Sequence, residues 1–138
     1  MIYIASPYIH KDLAVVQDRA RAVAKYAAHL MATGQTCYSP ITHGHAIQEY
    51  LPENLRGDHK FWLTHDFPFL SKCTAYHLLA LDGWEDSKGC RWEYETAKAF
   101  KLPALIVTPD SYRSWIMIGN YDDNSLTRED TEVTAIFI

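Results

Sequence analysis

The sequence predicts an α/β layer fold built on a parallel sheet. Three observations carry this. Short apolar runs rich in strand formers recur at 2–5, 36–39, 75–81 and 104–107. Segments with helical spacing separate them. The connections between the two carry proline, glycine and polar residues, as strand-to-helix turns do.

Ile2-Tyr3-Ile4-Ala5 is the first strand, and Ser6-Pro7-Tyr8 stops it because proline ends a ladder. Asp12 is placed as the N-cap of a helix in which Leu13, Val16, Ala20, Val23, Ala27, Leu30 and Met31 recur at steps of three and four. Arg19, Arg21 and Lys25 fall on its wet side, and Gly34 ends it. A second strand begins at Thr36-Cys37-Tyr38-Ser39 and stops at Pro40. Ile41-Thr42-His43-Gly44-His45 then reads as a loop at its carboxyl end. The His-x-His pair has no third ligand at suitable spacing, so a contact to a base or sugar is favoured over a metal.

From Asp58 a helical pattern puts Phe61, Trp62, His65, Phe69 and Leu70 on one apolar face. Pro68 is expected to kink this helix or to open its second half. Asp66, just ahead of that proline, reads either as a cap or as a catalytic carboxylate. Residues 75–81 form the third strand, with His77 packed in the sheet. Residues 104–107 are a near-continuous apolar run, typical of a strand buried on both faces. In the tail, 115–118 and 133–138 look like strands. One is expected at the sheet edge and the other paired with another subunit.

The 138 residues are read as one domain, 1–138. Such a chain buries about two-thirds of its unfolded surface, enough for a core. Apolar content of 48% and charged content of 22% are ordinary for a soluble protein. A net charge of −4 with no basic run argues against duplex nucleic acid as a partner, yet leaves room for a single nucleotide. Three cysteines without paired spacing fit a reducing, cytoplasmic setting. No signal peptide and no membrane-length apolar run is visible, so no membrane partner is expected.

The most informative stretch runs from Asp82 to Ala97: a polar loop with two glycines, then a helix start. In an open parallel sheet, ligands bind past the carboxyl ends of the strands. Glu93 falls in the first turns of that helix, where the positive end of the helix dipole favours an ionised carboxylate. Small loop residues let a ligand approach backbone N–H groups. The bland alternative is a good first-turn acid on an ordinary strand–loop–helix unit.

With these elements placed, residues 1–108 resemble the nucleoside 2-deoxyribosyltransferase superfamily, which includes deoxynucleoside 5'-monophosphate N-glycosidases. The similarity is closest to its small phage and bacterial members. The opening Ile2-Tyr3-Ile4-Ala5-Ser6-Pro7 is similar to the family's first strand and substrate loop. Ser39-Pro40-Ile41-Thr42-His43 is similar to its second loop, where His43 faces the ligand. His65-Asp66 matches the Asp ahead of strand three. Most specific is Ser87-x-Gly89-x-x-x-Glu93-x-x-x-Ala97, which matches the loop and helix of the nucleophilic glutamate. Departures are Glu95 where the family has a glycine, Thr74 where strand three often begins with aspartate, and Tyr8-Ile9-His10-Lys11 where the glycosidases carry an arginine.

The resemblance implies a flavodoxin-like or Rossmann-like three-layer fold with a mainly parallel sheet of about five strands. It implies Glu93 as nucleophile and Asp66 as the acid that handles the departing base, with no cofactor and no metal. Tyr3, Ser6, Pro7, Tyr8, His43, Ser87 and Gly89 are the expected substrate-binding residues. Retaining glycosidases hold two such carboxyl groups about 5 Å apart. Burial beside Trp62, Phe67 and Phe69 is expected to raise the Asp66 pKa. Six residues before the nucleophile, the transferases tend to carry an Asp for a free 5'-hydroxyl and the glycosidases a Ser for a phosphate; here it is Ser87. The expected activity is therefore N-glycosidic hydrolysis of a (deoxy)nucleoside 5'-monophosphate, with base transfer as runner-up. A non-catalytic nucleotide sensor has no need of Glu93 and Asp66. A flavodoxin-like electron carrier would want a Ser/Thr-rich phosphate loop after strand one, which is missing. A homodimer or larger assembly is expected, with 119–125 as the segment lent to a neighbour's site.

Overall fold

The computed structural model describes residues 1–108. In them the chain runs β1 (Ile2–Ala5), α1 (Leu13–Ala32), β2 (Cys37–Tyr38), α2 (Pro40–Ile47), α3 (Glu53–Arg56), α4 (His59–Leu70), β3 (Ala75–Leu79), α5 (Lys88–Ala99) and β4 (Ala104–Val107). The four strands make one parallel sheet in the order β2-β1-β3-β4. The expected strands at 115–118 and 133–138, and the segment 119–125, lie outside the described residues.

Strand alternation sorts the core into two layers. Ile2 and Ile4 pack with Leu79, Val107 and the Val23, Tyr26 and Leu30 face of α1. Tyr3 and Ala5 point the other way, onto Tyr76, Leu78, Leu70 of α4, and Cys90 and Ala97 of α5. Helices therefore cover both faces, giving the three-layer, flavodoxin-like fold. The chain leaves β1 toward one edge and returns past it to β3, so the topological switch lies between β1 and β3. That crevice is where such sheets bind ligands.

α1 starts where expected: the Asp12 carboxylate accepts from the Ala14 N–H at 2.9 Å. Gly34 follows its end with φ +80°, a conformation glycine adopts without strain. Of the expected apolar face, Val16, Ala20, Val23 and Leu30 are buried, but Leu13 and Met31, at the two ends, are exposed. Arg19 departs from the expected wet side and reaches backbone carbonyls of two loops.

Two corrections concern prolines. Residues 41–45 are helical, not a loop. Ser39 accepts from the Thr42 N–H at 3.3 Å as N-cap, and Pro40 takes the first helical position, where its missing N–H is no loss. Gly44 is inside this helix because the Trp62 ring lies against it; a Cβ there would stand 2.9 Å from Trp62 Cζ3. Pro68 neither breaks nor restarts α4, which runs unbroken to Leu70. Beyond it Ser71 N donates to the Phe67 carbonyl at 2.9 Å and Ser71 Oγ to the Pro68 carbonyl at 2.8 Å, closing the last turn.

Asp66 is consequently no cap. The N-cap of α4 is Asp58, which accepts from the Phe61 N–H at 3.0 Å. The face of α4 that enters the core carries Asp66 and Leu70, while Phe61, Trp62 and Phe69 are half-buried and His65 is exposed. The third strand ends at Leu79, two residues before the expected 81. His77 sits in the sheet as expected, its Nδ1 2.8 Å from the Tyr26 hydroxyl, and burial lowers its pKa to about 4. Among the described residues no helix is long and apolar enough to cross a membrane.

Candidate active site

Three tyrosines lie in one row across the sheet. Tyr3 of β1 is in register with Tyr38 of β2 on one side and Tyr76 of β3 on the other. Neighbouring ring centroids are 5.8 Å and 6.2 Å apart, and all three rings point toward the α4–α5 layer. A buried phenol needs a partner for its hydroxyl. Tyr3 Oη donates to Glu93 Oε1 at 2.7 Å, Tyr38 Oη to Asp66 Oδ1 at 3.0 Å, and Tyr76 Oη to the Cys90 carbonyl at 3.3 Å.

Glu93 comes from the second turn of α5 and Asp66 from the interior of α4. They are buried to 6% and 5% exposure, and no cation pairs with either among the described residues. Burial raises the Glu93 pKa to about 8; the Tyr3 hydrogen bond opposes that rise and the charge on Asp66 adds to it. Burial also raises Asp66, against the Tyr38 hydrogen bond and the nearby His65 and His43. The charge on Asp66 reaches Glu93, so the two carboxyl groups titrate as a coupled pair. Tyr3 and Tyr38 stay protonated, held there by burial first and by the neighbouring carboxylates second.

A ring surface borders Asp66. Tyr38 and Phe69 stack at 4.1 Å and 2°. His43 and His65 lie parallel at 5.4 Å, and His43 is 5.7 Å from Tyr38. His43 thus joins Asp66's surroundings from α2, while His45 turns away to place its Nδ1 2.6 Å from the Tyr8 hydroxyl. Residues two apart on a helix face different ways, which separates the His-x-His pair. Of the rings expected to bury Asp66, Phe69 stacks on Tyr38, the phenol bonded to Asp66, but Phe67 packs on Trp92 and Phe100 instead.

The loops on either side of the switch point are tied by Arg19. Its guanidinium donates to the Tyr8 carbonyl at 3.4 Å, the Ile9 carbonyl at 2.9 Å and the Asp82 carbonyl at 2.5 Å. It has no carboxylate partner among the described residues, and its charge reaches Cys90 in the first turn of α5. Gly83 turns at φ +87° beside it, where a Cβ would lie 3.0 Å from Arg19 Nη2.

Ser87 is the N-cap of α5, its Oγ accepting from the Cys90 N–H at 3.3 Å; at Gly89, in that first turn, a Cβ would make ordinary contact with Ser87 Oγ at 3.9 Å and His59 Cε1 at 4.0 Å. Asp86 is exposed. Ser6 and Pro7 are buried, and Ser6 Oγ has no hydrogen-bond partner among the described residues. The Tyr8 hydroxyl is already engaged by His45 and by Gln48 Nε2. The structure therefore brings Tyr3, Asp66 and Glu93 together, with His43 beside them. Ser6, Ser87 and Gly89 stand on the flanking loops, and Tyr8 is turned to α2.

Sequence reasoning missed Tyr38 and Arg19. Tyr38 had a signal: each of the first two strands places a tyrosine shortly before a Ser-Pro pair. Arg19 had a weaker one, since it adjoins Ala20 and lies three residues from Val16, on the border of the buried face.

A separate open groove of about 420 Å³ between α1 and α2 is lined by residues such as Ala20, Ala24, Thr42 and His45. No carboxyl group lines it. Residues 1–108 match the family described as a domain of unknown function (DUF1937). No curated protein matches the sequence.

Proposed function

The chain belongs to the DUF1937 family, and we propose that it is an N-glycosidase that cleaves the base–sugar bond of a (deoxy)nucleoside 5'-monophosphate through Glu93. The observation that carries this is the pair of buried carboxyl groups, each held by its own tyrosine hydroxyl, beside the switch point.

In the proposed reaction a Glu93 oxygen attacks the anomeric carbon as the carbon–nitrogen bond breaks. That bond's electrons leave with the base, and Asp66 supplies the proton the base takes up. The result is a glycosyl ester on Glu93. Water then attacks the same carbon, Asp66 takes its proton, and Glu93 departs as a carboxylate. The reactive form holds one proton on the pair. Positive charge growing on the sugar favours the Glu93 carboxylate, and the basic nitrogen of the leaving base draws the proton's position to Asp66. kcat/KM is thus expected to be bell-shaped, with its alkaline limb near pH 8.

The phosphate would lie over the N-terminus of α5. The first turn of α5, which carries no side chain at Gly89, the Ser87 hydroxyl and the unneutralised Arg19 support an anion there. The unpartnered Ser6 hydroxyl supports a polar ligand group by the first loop.

The test is a panel of deoxynucleoside 5'-monophosphates and their nucleosides, each with and without a second free base, with products separated by chromatography. Free base plus deoxyribose 5-phosphate is the expected outcome. A new nucleoside formed only with the second base would make the enzyme a transferase. Turnover that survives Glu93→Ala would remove the nucleophile assignment.

A further inference from the structure

Resting on the proposed roles of Asp66 and Glu93, we infer that Tyr38 is the positioning residue of the acid: it fixes the Asp66 carboxyl and stabilises its ionised form once the proton has gone to the base.

The geometry behind this begins with β2, which is only two residues long, Cys37–Tyr38. Tyr38 ends it and is held from three sides. Its backbone pairs in register with Tyr3. The next residue, Ser39, caps α2. Its ring stacks on Phe69 at 4.1 Å and 2°. Phe69 lies three residues beyond Asp66, so that stack fixes the phenol against the same stretch of α4 that carries the acid. The hydroxyl has one direction left and donates to Asp66 Oδ1 at 3.0 Å.

A donor of this kind acts differently on the two protonation states. It bonds well to a carboxylate and less well to a neutral acid, so it makes Asp66 a readier proton donor. The groups facing Asp66 are Tyr38 from β2, His43 from α2, His65 from its own helix, Glu93 from α5 and Tyr3 from β1. The two histidines are exposed, and Glu93 and Tyr3 bond to each other. Tyr38 is thus the half-buried hydroxyl on the sheet side that answers to Asp66. In the same row Tyr3 answers to Glu93, so the sheet gives each carboxyl a separate donor.

The test uses the whole protein labelled with [13C]aspartate, with the Asp66 carboxyl resonance assigned by its loss in Asp66→Asn. Its titration is followed in the native protein and in Tyr38→Phe, which keeps the ring and its stack. The midpoint is expected to rise by about one pH unit on losing the donor. Replacing Tyr38 by 3-fluorotyrosine keeps every contact and strengthens the donor; the midpoint is expected to fall. An unchanged midpoint in both would overturn the assignment, whether or not any nucleotide is turned over. With a turned-over substrate, Tyr38→Phe is expected to move the acid limb of kcat/KM upward and to lower kcat about tenfold, leaving the alkaline limb near pH 8. If Glu93→Gln and Asp66→Asn abolish turnover while the acid limb of Tyr38→Phe stays in place, the role of Tyr38 is refuted and the carboxylate mechanism survives. If no nucleotide in the panel reacts, the substrate reading fails and the resonance still decides the role of Tyr38.

Discussion

Replacing Glu93 with glutamine should stabilise the protein at high pH while destroying its activity. In the folded protein burial raises this carboxyl from its ordinary 4.5 to about 8. Its folded pKa is above the unfolded one, so the unfolded chain loses its proton first as pH rises. Stability is therefore full below about pH 4.5 and drains away up to pH 8. At about 1.4 kcal/mol for each pH unit crossed, the native protein should lose about 4 kcal/mol between pH 5 and pH 9 through this one group. Glutamine has nothing to ionise. It can still accept from Tyr3, and the cost of seating its amide is the same at both pH values, so it cancels in the comparison. His77, lowered to about 4, weakens the fold only as pH drops below its unfolded value near 6.5, and does so in both proteins. Urea unfolding followed by tryptophan fluorescence at pH 5 and pH 9 gives the four midpoints needed. Parallel pH dependence in the two proteins, within about 1 kcal/mol, would mean that Glu93 is not buried as an acid of raised pKa. Turnover of the substrate should meanwhile fall by three orders of magnitude or more, roughly.

Tyr3→Phe removes the donor that favours the Glu93 carboxylate, so the alkaline limb of kcat/KM should move above pH 8; a pH–rate profile that keeps its limb would separate Tyr3 from the nucleophile. Ser87→Ala should cost about 1 kcal/mol of stability through loss of the α5 cap, measured by thermal unfolding. Ser87→Asp should keep the cap yet raise KM for the 5'-phosphorylated substrate relative to the nucleoside, and equal KM changes for both would refute the phosphate placement. Gly44→Ala drives a methyl to 2.9 Å from the Trp62 ring, which is itself pinned by a 2.9 Å bond from Nε1 to the Arg56 carbonyl. A loss of about 1–3 kcal/mol is expected in chemical denaturation.

Much of the fold was legible because strand and helix periods differ. The run Ile2 to Ala5 and the three-and-four spacing from Leu13 to Met31 admit few other structures. The misleading residue was proline, whose local effect depends on the segment it leads into. Pro40 reads as the end of a strand from its left side and as the first residue of a helix from its right; the Ser39 cap decides, and it needs the third dimension to be seen. Pro68 is two residues from the C-terminal end of α4, so little helix remains beyond it to be kinked. At the site, Glu93 and Asp66 are legible through the resemblance of two short stretches, His65-Asp66 and Ser87 to Ala97, to a known family. Tyr38 and Arg19 left only weak signals, since partners that define their roles stand 28 and 63 residues away. A half-buried arginine serving three carbonyls has the same sequence pattern as one in water.

The row of tyrosines gives an unexpected importance to a turn remote from any ligand. The connection from α1 to β2 passes through Thr33 to Thr36, where Gln35 N bonds the Leu30 carbonyl at 2.9 Å and Ile2 N bonds the Thr36 carbonyl at 2.8 Å. Those bonds fix how many residues separate the helix from the strand. One residue inserted or deleted there would turn Tyr38 to the opposite face of the sheet and bring a neighbour into its place. Surface turns ordinarily drift in length as proteins diverge. This one is constrained in length, and at Gly34, with its positive φ, in composition as well. The connection between α2 and α4 carries no such constraint, because an insertion there would leave the row intact. Among divergent relatives that keep the chemistry, a constant count between α1 and β2 would be the mark that selection has left.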